Sequence, residues 1–205
     1  MIVQVRHSAN SGNTPIALAN GELALNVVDQ LLYHRHANGS IGIIANGASL
    51  LTFSIAQVSS NLNQVPANTN PFKITYNNND LLIGTEHILG NSRVTVLSNG
   101  WYSIIAIGNY NKTSGGTTLR YADCWLRKNN VNVQGTTTRI PIPIAGMDIP
   151  MALHSTLRLN ANDYIELLQT VDSTSGSPGL RGDATALDAA PPLLSIKLSI
   201  TKLAN

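Results

Sequence analysis

Cysteine and charge are both scarce in this sequence of 205 residues. Cys124 is the single cysteine, which excludes an internal disulfide framework and a zinc site built from several thiolates. Charged residues make up 12% of the chain, against about 25% in an average globular protein. Neutral polar groups must therefore provide the solubility. The few cations are scattered and form no Lys and Arg stripe, so nucleic acid is not an expected partner.

Long hydrophobic runs are also lacking. The stretch Ile104-Ile105-Ala106-Ile107 is far shorter than the roughly 18 residues needed to span a bilayer. The first seven residues contain no charged segment followed by an apolar one, so they do not look like a signal peptide. We expect a soluble product, without membrane insertion, that is made in a bacterial cytoplasm.

Motifs for catalysis and cofactor binding are missing as well. There is no Gly-x-Ser-x-Gly nucleophile elbow and no phosphate-loop or dinucleotide fingerprint. Glu22, Glu86 and Glu166 are the only glutamates, and no two of them share a motif that would form an acid–base pair. The expected protein is therefore not an enzyme and holds no cofactor.

Alternation of apolar and polar residues runs through most of the chain, and this period of two indicates β-strands. Residues 194–201 show it best, because Leu and Ile alternate there with Ser, Lys and Thr. Residues 119–126 predict a β-bulge, since several side chains compete for the inner face: Leu119, Tyr121, and Cys124 or Trp125. Turn pairs such as Asn38-Gly39 and Asn129-Asn130 separate the strands. The sequence thus predicts an all-β sandwich or barrel.

Composition divides the chain into parts. Residues 1–48 are short, Gly- and Asn-rich and too few to bury a core alone, so we expect this module to fold against copies of itself. Residues 49–61 are a predicted linker. Residues 62–205 carry both tryptophans on longer strands and are predicted to form an independent head domain.

Residues 3–44 resemble the N-terminal module of phage fibre and head-fibre proteins. The matching segments are Gln4 to Ala9, Gly21 to Asn26, Asp29 to Tyr33 and Asn38-Gly39-Ser40, while Val27-Val28 departs from a usual polar pair. The resemblance implies a short β-meander that forms an intertwined trimer or attaches the protein to the particle. The residues it assigns to attachment or trimerisation are Arg6, His7, Glu22, Leu23, Asn26, Leu31 and Tyr33.

The larger part resembles the jelly-roll domains of the tumour-necrosis-factor and complement globular-head superfamily. The matching segments are Val65-Pro66, Phe72 to Ile74, Gly100 to Ile104, Trp125 to Asn129, and Leu157 to Leu167, in which Asn162-Asp163 stands for a usual Gly-Asp turn. The resemblance implies an antiparallel jelly-roll sandwich that forms a tight homotrimer. The aromatic residues expected in the core or at the threefold axis are Trp101, Tyr102, Trp125 and Tyr164.

Three smaller features suggest binding. His34 and His36 lie two residues apart, so a trimer could bring three such pairs around an axial metal, although one chain supplies no complete ligand set. Arg181-Gly182-Asp183 copies an integrin-binding tripeptide but is interpreted as part of a polar loop. Tyr110 and Tyr121 flank a Gly- and Thr-rich loop and are candidate surface contacts for carbohydrate.

These observations leave two main functions open. The first is a trimeric capsid decoration protein, of the cement or head-fibre kind, on the virion surface, with phage capsid proteins as partners. The alternative is a tail-fibre or spike subunit that binds a host surface glycan. A depolymerase enzyme is the third hypothesis. The sequence lacks the acid pair that such an enzyme would need.

Overall fold

The structure is a computed structural model that describes residues 5–20, 22–46, 53–182 and 193–205. The chain divides into two compact units, Met1–Thr52 and Phe53–Asn205. The described residues form strands and turns without a helix, which confirms the predicted all-β class. Accordingly, these residues contain no helix long and apolar enough to cross a membrane.

The first unit is one sheet of four strands in chain order. The strands are β1 (Arg6–Ser8), β2 (Leu23–Asn26), β3 (Leu31–Arg35) and β4 (Ile41–Asn46). Strands β2 to β4 are antiparallel, as in the predicted meander, but β1 pairs in parallel with β2. The meander prediction is wrong for β1, because the long connection of residues 9–22 carries the chain back to the same end of the sheet, as a parallel pair requires.

One face of this N-terminal sheet is covered by that connection. Leu18 packs there with Ala24 and Tyr33, and these three residues form the buried cluster of the unit. The guanidinium of Arg35 donates to the carbonyl oxygen of Leu18 at 2.9 Å and fixes the connection over the sheet. Gly39, with a φ of 87°, occupies the predicted Asn-Gly turn between β3 and β4.

The second unit is a sandwich of two sheets. Sheet I has the strand order β14-β10-β17-β5-β7, with β16 beside β10, and sheet II has the order β12-β11-β15-β9-β8, with β13 beside β11 and β6 beside β15. The strands are β5 (Ile55–Ser60), β6 (Phe72–Lys73), β7 (Asn78–Ile83), β8 (Thr85–His87), β9 (Val94–Val96), β10 (Gly100–Asn111), β11 (Arg120–Lys128), β12 (Val131–Asn132), β13 (Thr138–Ile142), β14 (Ile149–Leu159), β15 (Tyr164–Val171), β16 (Gly179–Leu180) and β17 (Ile196–Ala204).

The core lies between the two sheets and follows the alternation in the sequence. Along β10, Tyr102, Ile104 and Ala106 are fully buried, whereas Ile105 and Ile107 face outward and are exposed. In β17, which confirms the strand predicted over residues 194–201, the inward residues are Ile196, Leu198 and Ile200. Because side chains alternate along a strand, each of these strands buries one face in the core and exposes the other face to solvent or a partner.

The predicted linker over residues 49–61 is corrected by the structure. Its second half forms β5, which pairs with β17 on one side and β7 on the other, inside sheet I. Ala56 and Val58 are completely buried on this strand. The head therefore includes residues before position 62, while residues 49–52 of the predicted linker lie outside the described residues.

Candidate functional site

Two residues of the fibre-like motif hold the connection between β1 and β2 in place. Arg6 Nε lies 2.6 Å from Glu22 Oε1, and the other oxygen of Glu22 accepts from the backbone N–H of Ala19 at 2.7 Å. Arg6 also donates to the carbonyl oxygen of Ala17. Within one chain, Arg6 and Glu22 therefore stabilise the loop, although 68% of the Arg6 side chain remains exposed.

Asn26 organises the other end of that loop. Its side chain is 1% exposed and makes five hydrogen bonds. Its amide nitrogen donates to three acceptors at 2.8 to 3.0 Å, and its oxygen accepts from two backbone N–H groups; the partners are Asn10, Asn13, Val28 and Asp29. Asn26 is consequently a buried structural residue of the module.

The remaining motif residues separate onto the two faces of the N-terminal sheet. Tyr33 is 4% exposed and Leu31 packs against the same buried cluster, so both support the fold. Leu23 and His7 lie on the opposite face, where each is exposed. Of the seven residues that the resemblance assigns to attachment or trimerisation, His7 and Leu23 are thus among those placed to contact a partner.

A depression of about 410 Å³ lies beside β1 within the first unit. Its walls are β1, the neighbouring part of β2 and residues 13–17 of the connection, and Arg6, His7, Asn26 and Tyr33 all contribute to its lining. Ile16 is completely exposed at this site. Because β1 is the edge strand of the sheet, its outer backbone groups are available for strand pairing.

The two candidate metal ligands contact each other. The rings of His34 and His36 are 4.2 Å apart and meet edge to face. His36 also lies against Gly42, where a Cβ atom would collide with the ring. Within the described ranges, no cluster of three or more His, Cys, Asp and Glu side chains could hold a metal ion. The described residues of one chain therefore supply no third ligand to this pair.

The predicted axial aromatics do not share one surface. Tyr102 is fully buried between the sheets, and its hydroxyl donates to the carbonyl oxygen of Ser98 at 2.8 Å, so it is a core residue within one chain. Trp101 is 46% exposed on the outer face of sheet I, whereas Trp125 and Tyr164 lie on the outer face of sheet II. The four side chains therefore cannot all surround one threefold axis.

Tyr110 is not a surface residue, contrary to the prediction. It is fully buried near the end of β10, because the strand continues to Asn111 rather than ending in a loop. Tyr121, the other predicted contact, is 37% exposed on β11. The guanidinium of Arg139 lies 5.8 Å from the centre of its ring.

A buried cation, Lys112, connects the loops that lie near the end of β10. The Lys112 side chain is completely buried, and its ammonium donates to the carbonyl oxygens of Thr118 and Pro143. The backbone N–H of Thr113 donates to Gly176 in the next loop at 2.9 Å. In the integrin-like tripeptide, Arg181 donates to the carbonyl oxygen of Ser177, and Asp183 lies outside the described residues.

The outer face of sheet I has exposed apolar side chains on two of its strands, β10 and β7, with polar and basic residues on the strands beside them. Ile105 lies between His154 of β14 and Ser199 of β17, and Ile107 lies between Ala152 and Lys197. The exposed apolar side chains on this face are Trp101, Ile105 and Ile107 of β10, with Leu81 and Ile83 of β7. We call this surface the sheet I face.

The outer face of sheet II carries a set of ion pairs. Five ion pairs between described residues involve a strand or turn of this sheet. The Glu166 carboxylate is fully buried and lies near three cations, at 2.6 Å from Arg127, 3.3 Å from Lys73 and 3.5 Å from Arg93. Burial alone would raise the pKa of Glu166, but hydrogen bonds from Arg127 and Ser92 and the nearby positive charges lower it.

Cys124 lies in the core and is completely buried. Desolvation raises the pKa of its thiol to about 12. It therefore packs as a small apolar residue and has no nucleophilic role.

No protein-family model matches the chain, and no curated protein matches its sequence.

Proposed function

We propose that this chain is a structural protein of a bacteriophage particle and not an enzyme. It acts as a homotrimeric capsid decoration protein of the cement or head-fibre kind on the virion surface. The N-terminal module attaches the protein to the capsid, and the second unit is the displayed head. The link to phages rests on the resemblance of residues 3–44 to fibre and head-fibre modules.

The jelly-roll assignment of the head is supported by strand order. Eight strands form the framework: β5, β9, β10, β11, β13, β14, β15 and β17. Numbered in chain order, they lie sixth-third-eighth-first in sheet I and fifth-fourth-seventh-second in sheet II. This is the order expected when two Greek keys wrap into a double-sheet jelly roll.

The observation that carries the assembly proposal is the contrast between the two outer faces of the sandwich. The sheet I face presents Trp101, Ile105 and Ile107 with exposed fractions of 46%, 40% and 55%, while the described ion pairs of this unit lie on sheet II. The core of an interface is depleted in charged residues and enriched in aromatic ones. Exposed apolar side chains that cluster on one face of a soluble protein mark an interaction site.

The N-terminal module supports the same conclusion. Among its described residues, three form the buried cluster, which is very little for a module of this kind. Val27, Val28, Ile43 and Ile44 are each about half exposed. Association with other copies or with a capsid protein would bury them and stabilise the module.

A tail-fibre or spike subunit that binds a host glycan is the second candidate. A groove beside Trp125 on the outer face of sheet II supports the glycan-binding part of this candidate, but it does not distinguish a tail location from a capsid location. The two functions differ in the protein partner of the N-terminal module, which would be a capsid protein in one and a tail protein in the other.

The assembly proposal is tested by measuring the mass of the full chain in solution with light scattering. We expect about three times the 21.8 kDa of one chain. Ile107→Lys should yield a folded monomer, because it puts a charge in the proposed interface. Val131→Lys, at a residue that is 69% exposed on β12 of sheet II, should remain trimeric. A monomeric wild-type chain would refute the proposal.

A further inference from the structure

A groove crosses the outer face of sheet II beside Trp125. It is a depression of about 300 Å³, and its main lining residues are Asp123, Trp125, Asn132, Gln134, Thr137 and Thr170. A second depression, of about 160 Å³, continues from Asp123 and Thr170 to Tyr121. We call the two together the Trp125 groove.

Local sequence explains why the groove has a fixed shape. Asn129 and Asn130 both adopt positive φ angles, 47° and 66°, which is the tight turn that suits a two-residue hairpin. The turn places β12 beside β11 and thereby forms one wall. Thr136 then pins the following loop, since its hydroxyl donates to the carbonyl oxygen of Val133 and accepts from the N–H of Leu126.

A hydrogen bond fixes the Trp125 side chain, and its ring lines the groove. Its indole N–H donates to Oδ1 of Asn132 at 2.9 Å, and it lies opposite Leu168 in the sheet. Tyr121 is on the same face, four residues earlier on β11, which corresponds to about 13 Å along a strand. The groove therefore has an aromatic ring towards each end and room for a chain of rings between them.

Polar groups between the two aromatics suit hydroxyl-rich ligands. Arg139 donates two hydrogen bonds of 2.7 Å to the carboxylate of Asp123, and this ion pair neutralises the carboxylate charge. The carboxylate oxygens keep further lone pairs that can accept hydrogen bonds from a ligand. The Thr170 hydroxyl is fixed by donation to Thr69 and can still accept. In the part of the chain that the structure describes, the side chains of Gln134 and Thr137 make no hydrogen bond, and both are exposed.

We propose that the Trp125 groove binds a neutral oligosaccharide, with Trp125 stacking on a sugar ring and Asp123, Gln134 and Thr137 bonding its hydroxyl groups. Aromatic faces that combine with amide, hydroxyl and paired carboxylate groups match the alternating apolar and polar surfaces of a sugar. A protein partner would favour deeper desolvated pockets. An acidic ligand would favour the cations around Glu166 instead.

Glycan binding in one groove does not require a trimer, because the groove is formed by residues of a single chain. If three copies associate through the sheet I face, however, each trimer presents three grooves, and weak binding at one groove becomes strong attachment to a repetitive glycan surface.

A printed array of neutral oligosaccharides and bacterial surface polysaccharides, probed with the full-length protein, tests this inference. We expect binding to neutral glycans. For a bound glycan, the double substitution Gln134→Ala with Thr137→Ala should weaken affinity at least tenfold, and Trp125→Ala should abolish binding. The matched control Val131→Ala, on the same hairpin, should change affinity less than twofold.

Assembly is followed separately, because Ile107→Lys should leave the affinity of each groove unchanged even when trimers are lost. The exposed positions of Gln134 and Thr137 make folding defects in the double variant unexpected, and the thermal transition checks this. An array without signal, or affinity unchanged in the double variant, would overturn the proposal. So would a signal confined to acidic glycans that Lys73→Ala removes and Trp125→Ala preserves.

Discussion

Arg127 Nη2 lies 2.6 Å from the buried carboxylate of Glu166, across neighbouring strands of sheet II. Because Lys73 and Arg93 also approach this carboxylate, Arg127→Ala should cost about 2 kcal/mol, less than the ~3–5 kcal/mol expected when a buried charge loses its sole partner. Chemical denaturation of the variant measures this loss. Arg139→Ala removes a more exposed ion pair on the same sheet and should cost less than about 1 kcal/mol.

The same site predicts how stability depends on pH. The pKa of Glu166 is lowered in the folded state, so its contribution is fully present above the unfolded pKa of about 4.3. That contribution is lost as pH falls from there through the lower folded pKa. Thermal melting from pH 6 to pH 3 should show a smaller acid-induced decrease in Glu166→Gln than in the wild type. Equal decreases in both proteins would contradict the assignment.

Burial of Cys124 predicts an unreactive thiol. A pKa of about 12 leaves almost no thiolate at pH 8, and the core excludes the reagent. Ellman's reagent should therefore titrate no thiol in the native protein and one in guanidinium chloride. Rapid reaction under native conditions would show that the core around Cys124 opens readily.

The strands with clear alternation could be predicted from the sequence, and those that depart from it could not. The core side of β5 carries the small residues Ala56 and Val58, followed by buried Ser59 and Ser60, so this segment resembled a linker. On β11 the register is continuous without the predicted bulge, and Cys124 rather than Trp125 faces inward. Small inward residues there leave room for Tyr110, which lies near Cys124.

The candidate sites were less predictable than the strands. Glu166 and the three cations around it come from four separate segments, and no local motif links Lys73, Arg93 and Arg127 to it. The Trp125 groove depends on where a hairpin returns along β11, which only the folded chain determines. Tyr110 was predicted at the surface because it flanks a Gly- and Thr-rich loop, whereas Gly108 permits close packing against Leu180 and Ile196.

The five hydrogen bonds of Asn26 predict that this residue stabilises the N-terminal module. Asn26→Ala should remove the bonds that hold residues 10–13 and the turn after β2, and leave Asp29 partly unpaired. We expect faster proteolysis within residues 1–52 and an unchanged second unit. Asn38→Ala changes an exposed turn and serves as the control. Equal protease resistance in wild type and Asn26→Ala would contradict this role.

The position of Tyr110 predicts opposite outcomes for two substitutions. Its hydroxyl is buried, and the group near it is the weakly bonding Cys124 thiol, which makes no hydrogen bond of standard geometry to it, so Tyr110→Phe should be close to neutral. Tyr110→Ala should cost about 3–5 kcal/mol, because it leaves a large cavity in the core. Denaturant titration of both variants measures the difference. Equal stability of Tyr110→Ala and wild type would place this residue on the surface, as the sequence suggested.

The final prediction separates attachment from glycan binding. A chain of residues 53–205 keeps the complete core of the second unit, so it should fold, remain trimeric and retain affinity for a glycan bound in the Trp125 groove. It should no longer occupy the particle, because the proposed attachment module is gone. Cryo-electron microscopy of particles assembled with each chain measures this occupancy and shows whether the protein lies on the capsid or the tail.

The full-length Trp125→Ala protein provides the reciprocal measurement. Its particle occupancy should equal that of the wild type, since the groove and the module belong to different units. If the protein is chiefly decorative, adsorption of these particles to host cells should also remain unchanged. A tenfold or greater decrease in the adsorption rate, with trimers and occupancy intact, would favour the tail-fibre function over decoration. Normal occupancy by the chain of residues 53–205 would instead refute attachment through the N-terminal module.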